Sequence, residues 1–227
     1  HRRICKHFVS YWMLTGEKAA RLGCERRNLF RQQYHQCHGA IRVTTDTHTS
    51  FGAAGVWLCH ALHDFLRIRR MALQAAFGQA GVATAAAAER IEQALNVFMT
   101  ARNEVDLYPE VTGSLTRLSQ RYALASLTNG NADVRRIGIG HYFKATISAH
   151  AHGVSKPDAA LFHIACHELA CAPEAVLHVG DDIELDVRGA RAAGLQVVWM
   201  NRGDAVWVGD DVPAVVKNLL ELERWHE

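Results

Sequence analysis

Four carboxylates fall within the six residues from Asp181 to Asp186, directly after an apolar run that ends at Gly180. Two negative charges about 4 Å apart repel by about 4 kcal/mol at an effective dielectric constant of about 20. Such a cluster therefore extends into water, shares a proton or binds a cation. Hard oxygen ligands of this kind suit Mg²⁺. The alternative is a solvated helix start, where the helix dipole also favours acidic residues.

Two other polar segments could act on an anion. In Ser126-Leu127-Thr128-Asn129-Gly130-Asn131, an apolar strand delivers a hydroxyl and then a turn with exposed backbone N–H groups. This arrangement can hold a phosphate, although a plain helix cap without a ligand has the same pattern. In Ser155-Lys156-Pro157-Asp158, proline at the first helical position would keep Lys156 outside the helix. Its ammonium could then project over the sheet edge, or simply be a surface charge.

Alternating strands and helices must position these groups. The hydrophobic pattern predicts helices over residues 109–121, from Ala132, over 157–170, after the acidic cluster and over 212–225. It predicts strands over 123–128, 146–149, 175–179 and 196–200. A repeated strand-helix pattern predicts an α/β fold with a doubly wound parallel sheet.

The spacing of the three segments places them at one edge of that sheet. Thr128 and Lys156 are 28 residues apart, and Lys156 and Asp181 are 25 apart. Each interval is about one helix-and-strand step of a parallel sheet. In open α/β sheets, ligands bind at the carboxyl ends of the strands. A hydroxyl with amides, a cation and a carboxylate are the groups needed to hold a phosphate beside Mg²⁺.

Composition favours a globular protein without a nucleic-acid or membrane partner. Nine Lys and Arg residues stand against three acidic residues in positions 1–50, and 16 stand against 20 elsewhere. The basic excess forms no continuous run, which argues against nucleic-acid binding. The apolar stretch from Phe8 to Leu14 is too short to span a bilayer. Six cysteines without a CxxC pair indicate reduced thiols and a cytoplasmic protein. The oligomeric state is left open.

Together, these segments resemble a known family. Thr128-Asn129-Gly130, Lys156-Pro157-Asp158 and Gly180-Asp181-Asp182 with Asp186 resemble the second, third and fourth motifs of the haloacid dehalogenase superfamily of hydrolases. Tyr108-Pro109-Glu110-Val111 resembles the segment that returns from that family's cap to its core, and the similarity covers roughly residues 63–203. The resemblance implies a Rossmann-like core from residues 41–60 and 107–227. It also implies a small helical cap, to which the alanine-rich stretch 61–106 is assigned, while residues 1–40 receive no element.

The resemblance also implies roles for individual residues. Asp181, Asp182 and Asp186 would lie in or beside a Mg²⁺ site, Lys156 would balance the charge of nucleophile and phosphate, and Thr128 with the Asn129 amide would bind phosphoryl oxygens. The family's first motif, with the pattern DxD, supplies a nucleophile that forms an aspartyl phosphate. This chain has no such pair; the nearest match has Asp46 as nucleophile and metal ligand, with His48 as acid and base.

These observations predict a Mg²⁺-dependent hydrolase of phosphate monoesters that acts on a small phosphorylated metabolite. Two alternatives stay open. One is a metal-independent haloacid dehalogenase, which the acidic cluster argues against because it would repel a carboxylate substrate. The other is a catalytically impaired member that acts as a binding or structural module, as the missing DxD suggests. A fragmentary or frame-disrupted start to the sequence would also explain that missing motif.

Overall fold

The computed structural model describes residues 7–10, 65–82, 84–203 and 205–225. Six strands within these ranges form one sheet in which every neighbouring pair is parallel. They are β1 (His7–Ser10), β2 (Ala123–Thr128), β3 (Ala145–Ser148), β4 (Val176–Gly180), β5 (Gln196–Met200) and β6 (Ala214–Val216). The strand order is β3-β2-β1-β4-β5-β6. The predicted doubly wound parallel α/β sheet is therefore confirmed.

The strand at the centre of the sheet is β1, which pairs with β2 on one side and β4 on the other. The hydrophobic pattern predicts no element in residues 1–40, and the core was expected to begin within residues 41–60. Residues 41–60 lie outside the described residues. A strand in the first ten residues thus holds the position between the two strands whose ends carry Thr128 and Gly180.

Two helices form the predicted cap. They are α1 (Phe65–Gln79) and α2 (Thr84–Asn103), joined by a turn in which Gly81 has a φ of +69°. Ala87, Ile91 and Leu95 recur every fourth residue on α2 and are buried against apolar side chains of α1. Arg70 also forms a two-pronged ion pair with Glu92 across the helices. The alanine-rich stretch 61–106 is thus mainly helical where it is described.

Helices cover both faces of the sheet. On one face, α3 (Val111–Arg121) and α7 (Leu219–Trp225) pack on apolar side chains of β2, β4 and β5. On the other face lie α5 (Ala159–Leu169) and the short α6 (Gly189–Ala192). A further short helix, α4 (Ala149–His152), follows β3. None of the described helices is both long and apolar enough to cross a membrane.

Three predicted elements differ from the structure. No α-helix begins at Ala132: residues 134–138 form turns, and Gly138, with a φ of +92°, precedes a single 3₁₀ turn over Gly140–Tyr142. The predicted helix over 212–225 is β6 followed by α7, because Pro213 and the valines beside it favour an edge strand. Pro157 precedes α5 instead of opening it, and Asp158 is the N-cap, accepting a hydrogen bond from Ala160 N.

Candidate active site

Polar side chains from three loops meet at the carboxyl edge of the sheet. Thr128 ends β2, Asp181 follows β4, and Lys156 lies in the loop between α4 and α5. The Asn129 side chain joins two of these loops, because its Nδ2 donates to Lys156 O at 2.9 Å and its Oδ1 accepts from Lys156 N at 2.8 Å. This side chain is therefore occupied, and only the main-chain N–H of Asn129 fits the predicted phosphate contact.

The hydrogen bonding of Thr128 leaves its hydroxyl proton available to a ligand. Its side chain is buried, and its Oγ1 accepts a hydrogen bond from Gly130 N at 2.7 Å. No hydrogen bond donated by this hydroxyl occurs within the described ranges. The proton of the hydroxyl can therefore be directed at an acceptor such as a phosphoryl oxygen.

Lys156, His178 and Asp186 form a buried cluster behind this edge. Lys156 Nζ lies 2.6 Å from Asp186 Oδ1, and His178 Nε2 lies 2.9 Å from the same oxygen. Burial alone would raise the pKa of the Asp186 carboxyl. The His178 hydrogen bond and the charge of Lys156 outweigh that effect and hold this pKa well below its usual range. Asp186 is therefore an ionised partner of Lys156.

Gly180 makes room for the Asp186 side chain. A Cβ at position 180 would lie only 2.3 Å from Asp186 Cγ, closer than any van der Waals contact allows. Asp186 comes from a π-helical turn over Ile183–Arg188, a geometry often found at functional sites. The glycine before the acidic cluster is thus required by a side-chain contact and not by an unusual backbone angle.

The four acids of the cluster do not converge on one point. Asp182 is exposed, and its Oδ1 accepts from the backbone N–H groups of Glu184 and Leu185, which makes it an N-cap. Glu184 is exposed and pairs with Arg188. Among the described residues, no three His, Cys, Asp or Glu side chains form a group suited to a metal ion. Asp182 and Asp186, which were predicted to lie in or beside a Mg²⁺ site, have oxygens engaged as a helix cap and as the partner of Lys156, respectively.

Asp181 is the carboxylate that fits a cation. Burial raises the pKa of its carboxyl to about 6, and the negative charges of Asp186 and Asp182 add to the effect. A divalent cation beside this carboxyl would offset both influences. The main chain of Asp181 is also fixed, because Trp199 Nε1 donates to its carbonyl oxygen at 2.8 Å. The predicted second carboxylate, Asp46, and the predicted acid-base group, His48, lie outside the described residues.

Two site residues were missed in the sequence. His178 interrupts the apolar strand β4 three residues before Asp181, and a polar residue inside a buried strand is a signal that could have identified it. Trp199 is buried in β5, and its hydrogen bond to the Asp181 carbonyl joins β5 to the site. No sequence pattern indicates that bond.

A cavity of about 400 Å³ lies between the cap and this edge of the sheet. Leu66 of α1 and Met99 of α2 line it on the cap side, while Thr128 and Gly130 line it on the core side. Lys156 and Asp181 do not line it, so the cavity adjoins the site through Thr128. Asn103, the last residue of α2, accepts a hydrogen bond from Asp133 N and ties the cap to the loop after β2. The volume is in the range of small-molecule sites.

The structure thus combines a parallel α/β core and a helical cap with a cluster of polar groups at the carboxyl edge of the sheet. The sequence model of the haloacid dehalogenase-like hydrolases matches residues 24–194, which is most of the chain, and the protein belongs to that family. The resemblance drawn from the motifs is therefore confirmed.

Several characterised proteins are similar to the chain. It is 32% identical over 150 residues to 5-amino-6-(5-phospho-D-ribitylamino)uracil phosphatase YigB of Escherichia coli K12, covering 65% of this chain and 63% of that protein. It is 38% identical over 143 residues to a phosphoserine phosphatase of Thermus thermophilus, covering 60% and 54%. The chain thus spans between about half and two thirds of the length of these curated relatives.

Among solved structures, the 2-haloacid dehalogenase of Pseudomonas syringae pv. Tomato DC3000 has a TM-score of 0.79 and 29% identity, covering 96% of this chain and 99% of that one. The magnesium-bound putative hydrolase YfnB of Bacillus subtilis has a TM-score of 0.63 at 20% identity, covering 99% of both chains, which supports the fold alone. The relatives therefore include both phosphatases and a dehalogenase.

Proposed function

We propose that the chain is a Mg²⁺-dependent hydrolase of phosphate monoesters that acts through an aspartyl phosphate. The observation that carries the proposal is the grouping of Thr128, Lys156 and Asp181 at one sheet edge, where Thr128 also borders the cavity under the cap. A hydroxyl, an ammonium and a carboxylate with a raised pKa supply a donor, a positive charge and a cation ligand. Similarity to phosphatases in two organisms supports the same chemistry.

Phosphate binding is assigned to Thr128, Asn129 and Lys156. The Thr128 hydroxyl and the Asn129 main-chain N–H donate to phosphoryl oxygens, and Lys156 supplies positive charge. Because Lys156 is buried and held by Asp186, its ammonium keeps a fixed position while charge on the phosphoryl group changes. Groups fixed in advance stabilise the transition state without reorganising during the reaction.

The metal is assigned to the Asp181 carboxylate, with Asp46 as the second carboxylate. Bound Mg²⁺ would supply charge neutralisation of the phosphoryl oxygens. Burial and the neighbouring carboxylates make ionisation of the Asp181 carboxyl costly in the absence of a cation. A bound cation would offset that cost, so we assign the Asp181 carboxylate to the metal. Asp182 and Asp186 act around this site, as a helix cap and as the partner of Lys156.

Asp46 is assigned as nucleophile and His48 as the group that moves protons. The Asp46 carboxylate attacks phosphorus, the P–O bond to the leaving alcohol breaks, and the alcohol oxygen takes a proton from His48. Water, losing a proton to His48, then attacks the aspartyl phosphate and releases inorganic phosphate and the free carboxylate. An imidazole exchanges protons near neutral pH and can act at both steps. The substrate is a small phosphorylated metabolite, in keeping with a cavity of about 400 Å³.

The test is release of phosphate from p-nitrophenyl phosphate by the full chain with and without Mg²⁺. Activity should require Mg²⁺, disappear with EDTA and return when Mg²⁺ is restored. It should be lost in Asp181→Ala and Asp46→Asn but persist in Asp210→Asn, a change in an exposed carboxylate of the loop between β5 and β6. A folded wild-type chain without turnover, or full activity in Asp181→Ala, would refute the proposal.

A haloacid dehalogenase is the second candidate, and the 29% identity to the P. syringae enzyme favours it. Asp181 argues against it, because a partly buried carboxylate without a cation repels an anionic haloacid. Halide release from 2-chloropropionate that survives EDTA would establish this alternative. A binding or structural role is favoured if Asp46→Asn changes no measured activity.

A further inference from the structure

His178 is a fully buried titratable side chain in β4 that the proposed reaction does not use. Its Nε2 lies 2.9 Å from Asp186 Oδ1. Its Nδ1 is buried without a hydrogen-bond partner in the described part of the chain. The ring of Phe162 packs edge-on against the imidazole, with the ring centroids 5.2 Å apart at an interplanar angle of 86°.

These contacts determine the form of the imidazole. A carboxylate oxygen can only accept, so the nitrogen beside Asp186 must carry the proton. A proton on Nδ1 as well would bury a charged N–H donor without an acceptor, which is costly. Burial accordingly lowers the pKa of His178 more than its bond to Asp186 raises it. The ring is therefore neutral, protonated on Nε2 and bare on Nδ1.

A neutral donor at this position restrains the carboxylate without altering its charge. Asp186 Oδ1 accepts from both His178 and Lys156, while Oδ2 receives, among the described residues, only a long contact of 3.3 Å from Asp182 N. With the His178 bond absent, the carboxylate could rotate about its Cβ–Cγ bond. Lys156 would then follow, because its long side chain has many rotamers and Asp186 is its anchor.

We propose that His178 is a positioning residue, whose neutral Nε2–H fixes Asp186 and thereby the ammonium of Lys156 at the phosphate site. The inference rests on the proposed function, since the alignment of Lys156 matters only if that group contacts the reacting phosphoryl. It predicts that the hydrogen-bond donor at position 178 matters for catalysis, separately from the volume that the ring fills.

The experiment compares three variants of the full chain with p-nitrophenyl phosphate and saturating Mg²⁺. His178→Leu keeps apolar bulk without a donor, and kcat should fall about tenfold or more, as for other residues that orient a catalytic group. His178→Gln retains a side-chain N–H and should recover most of that loss. Phe162→Leu is the matched control, because it disturbs packing around the ring without removing the donor.

The control separates positioning from stability. Phe162→Leu should lower the melting temperature while keeping kcat within about twofold of wild type, since no hydrogen bond to Asp186 is lost. The inference is overturned if His178→Leu retains wild-type kcat, if His178→Gln is as impaired as His178→Leu, or if Phe162→Leu loses as much kcat as His178→Leu.

NMR spectroscopy tests the same inference without turnover. Long-range ¹H–¹⁵N spectra should show His178 protonated on Nε2 only. The Nζ–H signal of Lys156, which is 7% exposed, should be visible in wild type and His178→Gln and lost in His178→Leu. Failure of every form to hydrolyse a phosphate ester refutes the proposed function, whereas an Nδ1–H tautomer or an unaltered Lys156 signal refutes the positioning role.

Discussion

Lys156 Nζ lies 2.6 Å from Asp186 Oδ1, and both side chains are less than a tenth exposed. The two residues are 30 positions apart: Lys156 lies in the loop between α4 and α5, and Asp186 lies in the π-helical turn after β4. Because the negative charge of Asp186 offsets part of the positive charge of Lys156, Lys156 alone would not neutralise a phosphate dianion. The positive charge of a cation at Asp181 is therefore needed in the proposed reaction.

The first prediction concerns this pair. Lys156→Met should destabilise the protein by about 3–5 kcal/mol, because Asp186 is then left buried with His178 as its remaining close partner. The double variant Lys156→Met with Asp186→Leu should lose less, since no unpaired charge is buried. Urea unfolding of both single variants and the double variant measures the coupling, and additive free-energy changes would contradict it.

The second prediction concerns pH and the metal-free protein. Burial raises the pKa of the Asp181 carboxyl to about 6, so its ionisation opposes folding. Stability from this group is present below its unfolded pKa of about 4 and declines as pH rises towards 6. The stability of Asp181→Asn relative to wild type should therefore increase between about pH 4 and pH 6 and be constant above about pH 7.

Thermal unfolding in EDTA at a series of pH values measures this difference. A stability difference that is the same at all pH values would mean that Asp181 has an ordinary pKa. Adding Mg²⁺ at a pH of about 7.5, where the carboxyl is ionised, should raise the melting temperature of wild type and leave that of Asp181→Asn unchanged, because a ligand that binds the folded state stabilises it.

The third prediction concerns Gly180. A Cβ at this position would lie 2.4 Å from Asp186 Cβ as well as 2.3 Å from its Cγ, so Gly180→Ala must displace Asp186. Activity should fall because Lys156 loses its partner. Gly78→Ala is the matched control: position 78 lies in α1 with no atom within 4 Å of the added Cβ. The control should be neutral or stabilising by up to about 1 kcal/mol.

The fourth prediction separates Asp182 from metal binding. Its Oδ1 caps two backbone N–H groups, so Asp182→Ala should cost about 1 kcal/mol of stability. The Mg²⁺-dependent rise in melting temperature should persist. Asp158→Ala, which removes the N-cap of α5, is the comparison and should cost a similar amount. Loss of the Mg²⁺ effect in Asp182→Ala alone would make Asp182 a ligand.

The sequence predicted those parts of the fold that local patterns determine. β2 and β5 have their predicted bounds, because each is a short apolar run with a clear end. The end of the chain was harder, since Val212, Val215 and Val216 before α7 fit either a strand or one face of a helix. Pairing with β5 decides in favour of the strand, and that pairing is a tertiary contact.

The candidate site was likewise predictable from the sequence only in part. Spacing placed Thr128, Lys156 and Asp181 at one edge of the sheet, because each strand of a parallel sheet ends there. It did not identify which acids face inward. Asp182 and Asp186 are four residues apart, yet one caps the π-helical turn in solvent and the other is buried against Lys156. That distinction depends on the turn and on the space beside Gly180.

The hydrogen bond from Trp199 to the Asp181 carbonyl has a spectroscopic consequence. The indole is 3% exposed, and its N–H touches the residue assigned to the metal. Its ring centroid also lies 6.0 Å from that of Trp207, so the two chromophores are electronically close. Movement of Asp181 on binding a cation would alter the emission of this pair. The protein thus carries a native optical reporter of its own site, which needs no attached dye.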